Sequence, residues 1–338
     1  MNGLRKLKAV AAAAGACAAL MAAPSAQAYV YGMSHLNVDN LTIVVNNDAN
    51  TNINSFVFGL SNSATMPGSG PVSSSASCGS IGTPCGASPV LDASAVNGTG
   101  STLTRTENDF SFLGTSGVHS YSGADSIIKT ATLVNGTPTS TEQIAEALLN
   151  TNGIAQANTN IQSTTTITLT LVVENDGAEI LLGFRADPDQ HSEINGLPGI
   201  YSAQTGMGVS FNLSRNGGGG STSWAPDGTN TNNCTGTIGG GANGNSNCFE
   251  LTDQENLNTN TGASTNPGSD SYSYDAGVQF SNFGILLTNV RGGTYTLTLR
   301  ADTSVIIARE VPEPTSLALI GLALAGLGFS AKRRRQSV

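Results

Sequence analysis

The chain has 338 residues and a formal charge of −9, yet only 11% of its side chains are charged, against roughly 25% in an ordinary soluble domain. The acidic balance argues against nucleic-acid binding, which needs clustered Lys and Arg. Three His and few Lys leave little material for acid–base or nucleophilic chemistry, so a conventional cytosolic enzyme is disfavoured.

In chain order, the first element is an export signal. Arg5, Lys6 and Lys8 precede an Ala-rich apolar run from Ala9 to Ala23, and Ala26-Gln27-Ala28 follows. A basic segment, an apolar segment and a small-x-small site make a secretory signal peptide over 1–28. This predicts cleavage by signal peptidase after Ala28, with Tyr29 as the mature start.

The body, 29–310, has the periodicity of strands. Strands are predicted over 36–45, 53–60, 126–134, 164–173, 179–185, 207–213, 272–280, 283–290, 294–300 and 303–309. The clearest alternation runs from Thr164 to Val173, with Thr on one face and Ile or Leu on the other. Asp176-Gly177 between two apolar runs reads as a hairpin turn, and Arg291-Gly292-Gly293 reads as a second. One segment departs from this pattern. Thr139 to Leu149 opens with a capping box, Ser140 with Gln143, and continues in good helix formers, which predicts a short helix. Gly/Ser/Asn/Thr-rich tracts at 67–86, 216–247 and 256–271 read as long polar loops. The expected fold is therefore all-β: an antiparallel, jelly-roll-like β-sandwich with long loops and one short helix. A division into two subdomains near 150–162 is compatible with the length.

Four cysteines survive removal of the signal: Cys78, Cys85, Cys234 and Cys248. In an exported chain they are expected as disulfides, and sequence alone leaves three pairings open. Locality favours Cys78–Cys85 and Cys234–Cys248, each inside a polar tract. Zinc is disfavoured, because no C-x-x-C spacing or neighbouring His is present.

Candidate binding residues are sparse. Gly239 to Gly244 matches G-x-G-x-x-G formally, but no strand precedes it and no helix follows, so no nucleotide site is expected. Asp187, Asp189 and Glu193 surround His191 in a segment read as an acidic turn broken by Pro188. Such an oxygen-rich turn is a candidate Ca²⁺ site; otherwise no cofactor is expected. The single Trp, Trp224, is a candidate for stacking on a sugar or for a buried anchor. Twenty-two acids in the body nominate no particular pair for glycoside hydrolysis.

The C-terminus, 311–338, is modular. Val311-Pro312-Glu313-Pro314 precedes an apolar stretch, 316–330, and then Lys332, Arg333, Arg334 and Arg335. Fifteen residues of helix span about 22 Å, short of a roughly 30 Å hydrocarbon core, and the flanking cations snorkel to cover the difference. The basic cluster places that end of a transmembrane helix in the cytoplasm. These three elements in order resemble the PEP-CTERM sorting signal of Gram-negative bacteria. The resemblance implies processing by exosortase, a membrane cysteine peptidase, with cleavage near Pro312–Pro314. It implies a transient membrane anchor, a final place at the cell surface or in the extracellular matrix, and association with exopolysaccharide and biofilm.

With both ends set aside, residues 29–311 hold seven Lys and Arg against 22 Asp and Glu, a net charge of −15. The expected function is that of a non-catalytic surface or matrix protein. The alternatives are a carbohydrate- or calcium-binding adhesion module and an extracellular polysaccharide-modifying enzyme.

Overall fold

The computed structural model describes residues 29–46, 52–65, 72–78, 90–97, 109–115, 120–128, 139–149, 156–196, 199–238, 247–274 and 279–310. These residues form sixteen strands and no helix. In chain order they are β1 (Tyr29–Asn46), β2 (Asn52–Ala64), β3 (Val72–Cys78), β4 (Val90–Asn97), β5 (Ser120–Ile128), β6 (Thr139–Leu149), β7 (Gln156–Val173) and β8 (Ala178–Asn195). There follow β9 (Ile200–Arg215), β10 (Gly220–Trp224), β11 (Thr235–Ile238), β12 (Asn247–Asp253), β13 (Asn260–Ala263), β14 (Gly268–Tyr272), β15 (Ser281–Val290) and β16 (Gly293–Glu310).

Two eight-stranded antiparallel sheets face each other. The first runs β12-β15-β8-β1-β6-β5-β4 with β14 beside β8, and the second runs β11-β10-β9-β16-β7-β2-β3 with β13 beside β9. Each sheet takes strands from both sides of 150–162. The inward positions of both sheets meet in one cluster that includes Leu36, Ile43, Leu171, Leu182, Phe184, Phe211, Trp224, Phe283 and Leu297. Four strands of 18 residues form the frame, β1, β7, β8 and β16. At about 3.3 Å per residue each reaches roughly 60 Å. Along β16 and most of β8 alternate side chains are buried, while β1 is buried on both faces over 30–36 and shifts register between Val38 and Leu41.

Away from that cluster the inward residues become small: Ala124, Ala145, Ala147 and Ala203 pack with Val305 and Ile307. The sheets come close here. A Cβ added to Gly32 would lie 2.7 Å from Val305 Cγ1 and 3.2 Å from Ile307 Cγ2. Hydroxyls bridge the layers at this level: Ser34 Oγ donates to Gly206 O (3.0 Å), and the Ser192 and Thr261 hydroxyls lie 3.2 Å apart.

Several expectations are corrected. The segment 139–149 is not a helix but a central strand, hydrogen-bonded to β1 on one side and β5 on the other. Both of its faces are buried: Ala145, Ala147 and Leu149 turn to the second sheet, while Ile144 and Leu148 pack with Tyr31, Met33 and Tyr121. Helix propensity over eleven residues is worth tenths of a kcal/mol per position, and a strand that fills a gap in a buried sheet outweighs it.

The two predicted hairpins are corners between the sheets. β7 and β8 lie in opposite sheets, as do β15 and β16. A turn residue reverses the chain, but the plane of reversal is decided by where the flanking apolar faces are buried. Here Leu171 and Val173 face Ile180 and Leu182 across the core. Gly177 holds a φ of +88°, which favours glycine. The two corners brace each other, since Gly177 N donates to Val290 O (3.0 Å) and Gly292 N to Asp176 Oδ1 (2.8 Å).

The predicted strands at 294–300 and 303–309 are one continuous β16. Of the strand predicted at 272–280, only Tyr272 belongs to a strand among the described residues, and 129–134 lie outside them. The polar tracts read as loops contain β3, β10, β11, β13 and β14, short strands recruited by neighbouring sheet edges. Among the described residues no helix is long and apolar enough to cross a membrane. The signal peptide 1–28 and the predicted span 316–330 lie outside them.

The close approach at Gly32 yields a direct test. Gly32→Val introduces a branched side chain where Val305 already stands, and overpacking of this kind costs about 1–3 kcal/mol. Thermal unfolding should show a lowered Tm with unchanged far-ultraviolet circular dichroism.

Candidate functional site

Strand alternation gathers a group of titratable residues on one surface of the first sheet. Along β8, Asp187, Asp189, His191, Glu193 and Asn195 occupy every second position and so share the outer face of the first sheet. Register places Asn37, His35, Met33, Tyr31 and Tyr29 of β1 opposite them in that order. Opposite those on β6 stand Glu142, Ile144, Glu146 and Leu148, from Asn37 to Tyr31.

A segment at 109–115 lies across this face, with Phe110, Phe112 and Leu113 packed on Tyr31, Met33, Tyr121, Ile144 and Leu148. The Glu146 carboxylate, fully buried, holds it there. Glu146 Oε1 accepts from Tyr31 OH (2.7 Å), Tyr121 OH (2.9 Å) and Gly114 N (2.8 Å), and Oε2 accepts from Leu113 N (3.0 Å). A buried charge is tolerable only when hydrogen-bonded in this way.

His35 lies beneath the same segment, with its ring 5.9 Å from that of Phe112 and 6.5 Å from that of Phe110. Its Nε2 is 3.2 Å from Glu142 Oε1 and its Nδ1 is 3.6 Å from Asp189 Oδ2. Burial alone disfavours the imidazolium. The neighbouring Asp189 and Glu142 carboxylates outweigh it and raise the His35 pKa. His191 is arranged differently. Its Nδ1 lies 2.7 Å from Ser271 Oγ, its Nε2 lies 3.4 Å from Glu193 Oε2, and its ring stacks on Tyr274 at 4.8 Å and 17°. Tyr29 OH donates to Glu193 Oε1, and Asn195 Nδ2 donates to Tyr29 OH (3.3 Å).

Asp187, Asp189 and Glu193 are therefore not in a turn. Pro188 sits inside β8 where pairing passes from β15, which ends at Ala186, to β14, which begins at Gln190. A strand tolerates proline where no ladder donor is required. An extended strand holds the three acids apart, Asp189 towards His35 and Glu193 towards His191 and Tyr29. Among the described residues no group of three or more His, Cys, Asp or Glu is placed to hold a metal ion.

Trp224 is in the core, 2% exposed. Its ring stacks on Phe211 at 5.3 Å and meets Phe184 at 6.1 Å, and its Nε1 donates to Glu250 Oε2 (2.9 Å). That bond ties β10 of the second sheet to β12 of the first. Beside it the Cys234–Cys248 disulfide, with an S–S distance of 2.10 Å, joins the same edges. Cys78 ends β3, and Cys85 lies outside the described residues. At the base of this module Asp253 is 1% exposed and accepts from Asp227 N (2.7 Å) and Gly228 N (3.1 Å). Burial pushes its pKa up to about 6, with the charges of Glu250 and Asp227 adding to the effect against those two backbone donors.

Composition does not single out His35, Glu142, Glu146 or Tyr274. The period-two spacing of Asp187, Asp189, His191 and Glu193 carries the signal that these residues share a strand face.

The PEP-CTERM protein-sorting motif matches residues 310–335. It marks an exported chain targeted to exosortase, anchored in the membrane before processing and destined for the cell surface. Pro312, Glu313, Pro314 and Lys332 to Arg335 all fall within the match and, with Ala26 and Ala28, outside the described residues. No curated protein and no solved structure matches the chain.

Two predictions follow from the buried carboxylates and His35. Glu146→Leu removes the acceptor shared by two tyrosine hydroxyls and the Leu113 and Gly114 amides, and a buried donor left unsatisfied costs about 1–3 kcal/mol. Limited chymotrypsin digestion should then cut at Phe110 or Phe112, sites protected in the parent protein. The pH dependence has two windows. A carboxylate whose folded pKa is raised, as for Asp253, loses stability as pH rises from about 4 to about 6. The raised pKa of His35 contributes stability that is full below about 6.5 and is lost as pH rises through the folded value. Calorimetry should show Asp253→Asn flattening the lower window alone and His35→Gln flattening the upper alone.

Proposed function

We propose that the mature chain is a non-catalytic protein of the cell surface or extracellular matrix, retained among exopolysaccharide in a biofilm after exosortase processing. The observation that carries this reading is the sorting motif at 310–335. Signal peptidase removes the N-terminal segment, exosortase acts near Pro312–Pro314, and the basic tail keeps the C-terminal end cytoplasmic until then.

The body suits that destination. Its −15 charge favours solubility outside the cell and disfavours anionic partners. The Cys234–Cys248 bridge belongs to an oxidising compartment. Ser202, Gln204, Ser210, Asn212 and Ser214 of β9 and Thr294, Thr296, Thr298 and Ser304 of β16 stand at outer positions, groups that hydrogen-bond to water and to hydroxylated polymers alike. The non-catalytic reading is supported by the engagement of His35 and His191, both held in cross-strand contacts and shielded by aromatic rings.

Replacement of Pro312, Glu313 and Pro314 by alanine tests the processing step. The variant should accumulate as a larger species in the inner-membrane fraction, as the parent chain should in cells lacking exosortase. Unchanged size and location of the variant would refute the reading.

A further inference from the structure

We infer that the outer face of the first sheet carries a saccharide-binding subsite, with the Tyr274 ring as its platform and Glu193, Asn195, Ser269 and Ser271 as its polar rim. The inference rests on the proposed place of the protein among exopolysaccharide, and it names the site and the sugar chemistry.

Among the described residues Tyr274 and Phe249 are the exposed aromatic side chains, at 44% and 47%. Their settings differ. Phe249 lies on β12, at the edge of the first sheet. Tyr274 is fixed from behind, stacked on His191 and set 5.9 Å from Phe112. His191 is fixed in turn by Ser271 and Glu193, and its ring lies 5.9 Å from that of Tyr31. An aromatic ring immobilised before the ligand arrives loses little conformational freedom on binding.

Polar groups continue from this platform along β8 and its partner strand. Ser271 pairs with His191 and Ser269 with Glu193, so two hydroxyl side chains stand beside the carboxylate. Glu193, Asn195, Pro267, Gly268 and Ser269 line an open cavity of about 280 Å³. A pyranose presents aliphatic C–H groups on its faces and hydroxyls around its edge. A fixed ring flanked by a carboxylate, an amide and hydroxyls complements both, an apolar surface with a few convergent polar groups.

Charge narrows the class. Glu142, Glu146, Asp189 and Glu193 all stand on this face. Burial, followed by the charges of Asp189, Glu146 and Glu193, raises the Tyr274 pKa, so the platform lies in a negative field and keeps its hydroxyl. Uronate-rich or sulfated glycans are repelled, and uncharged hexopyranose glycans are accepted.

Affinity electrophoresis of the full chain tests this, in gels containing a neutral β-glucan, a soluble N-acetylglucosamine polymer, polygalacturonate, or the polysaccharide extracted from the producing cells. The parent protein should be retarded by at least one neutral glycan and not by polygalacturonate. Tyr274→Ala should weaken that retardation at least tenfold, while Tyr274→Phe and Phe249→Ala should leave it within twofold. Circular dichroism and Tm of each variant separate loss of fold from loss of binding, and Tyr274→Phe keeps the ring if the alanine variant does not fold. Retardation unaffected by Tyr274→Ala, strongest on polygalacturonate, or absent on both neutral glycans overturns the subsite. If the cell's own polysaccharide still retards the protein in those cases, the proposed function stands without this site. If no polysaccharide does, both fall.

Discussion

The outer face of the first sheet depends on one buried carboxylate. Glu146 gathers two tyrosine hydroxyls and two backbone N–H groups, and through the latter it fastens residues 109–115 across the strands. Without that cover, Ile144 and Leu148 would face water on a strand whose other face is already committed to the second sheet. The same segment brings Phe110 and Phe112 over His35 and sets Phe112 against Tyr274. A charge in a nearly dry place thus organises an aromatic layer, which in turn fixes the histidines. This works because a fully hydrogen-bonded carboxylate is directional, whereas apolar contact alone leaves the crossing segment free to slide.

The opposite problem arises at the far edge of the sandwich, where polar chain must be held rather than charge buried. Residues 225–238 and 247–259 are rich in Asn and Thr, with Ile238 and Leu257 as their buried apolar side chains in the core. Outside β11 and β12, side chains satisfy several of their backbone groups: Asn258 Nδ2 donates to Val209 O and Pro226 O, and Asp253 accepts from consecutive amides. The Trp224–Glu250 bond and the Cys234–Cys248 bridge then join the two sheets across this edge. The disulfide constrains the unfolded chain, and the Trp supplies a further apolar anchor.

How much of this was legible in the sequence divides by range. Period-two alternation located most of the long strands, because burying every second residue leaves a local mark. The strand at 139–149 left the opposite mark: Glu, Ala and Leu are helix formers, and only the neighbours on both sides and both faces make a strand there. Asp176-Gly177 announced a reversal correctly, yet which sheet the chain entered next was decided by apolar faces meeting across the core. Asp187 to Glu193 looked like a turn because Pro188 usually breaks ladders. It is a strand because pairing on that side changes partner at the proline. The C-terminal sorting motif was fully legible, being a contiguous segment that requires no tertiary context.

That division also explains why the body discloses its chemistry less readily than its address. A sorting signal is a contiguous segment, here within residues 310–335. A binding face on a sandwich is assembled from alternate residues of separate strands: Tyr29 and Tyr31 from β1, His191 and Glu193 from β8, Ser271 from β14 and Tyr274 beyond it. Half of each strand's residues serve the core and carry no functional constraint, so the face is diluted twofold before it is scattered. The single Trp, which composition makes conspicuous, is consumed by packing, while a Tyr indistinguishable from six others is left at the surface. In a low-charge β protein the informative residues are those whose strand phase places them outside and whose neighbours then hold them still.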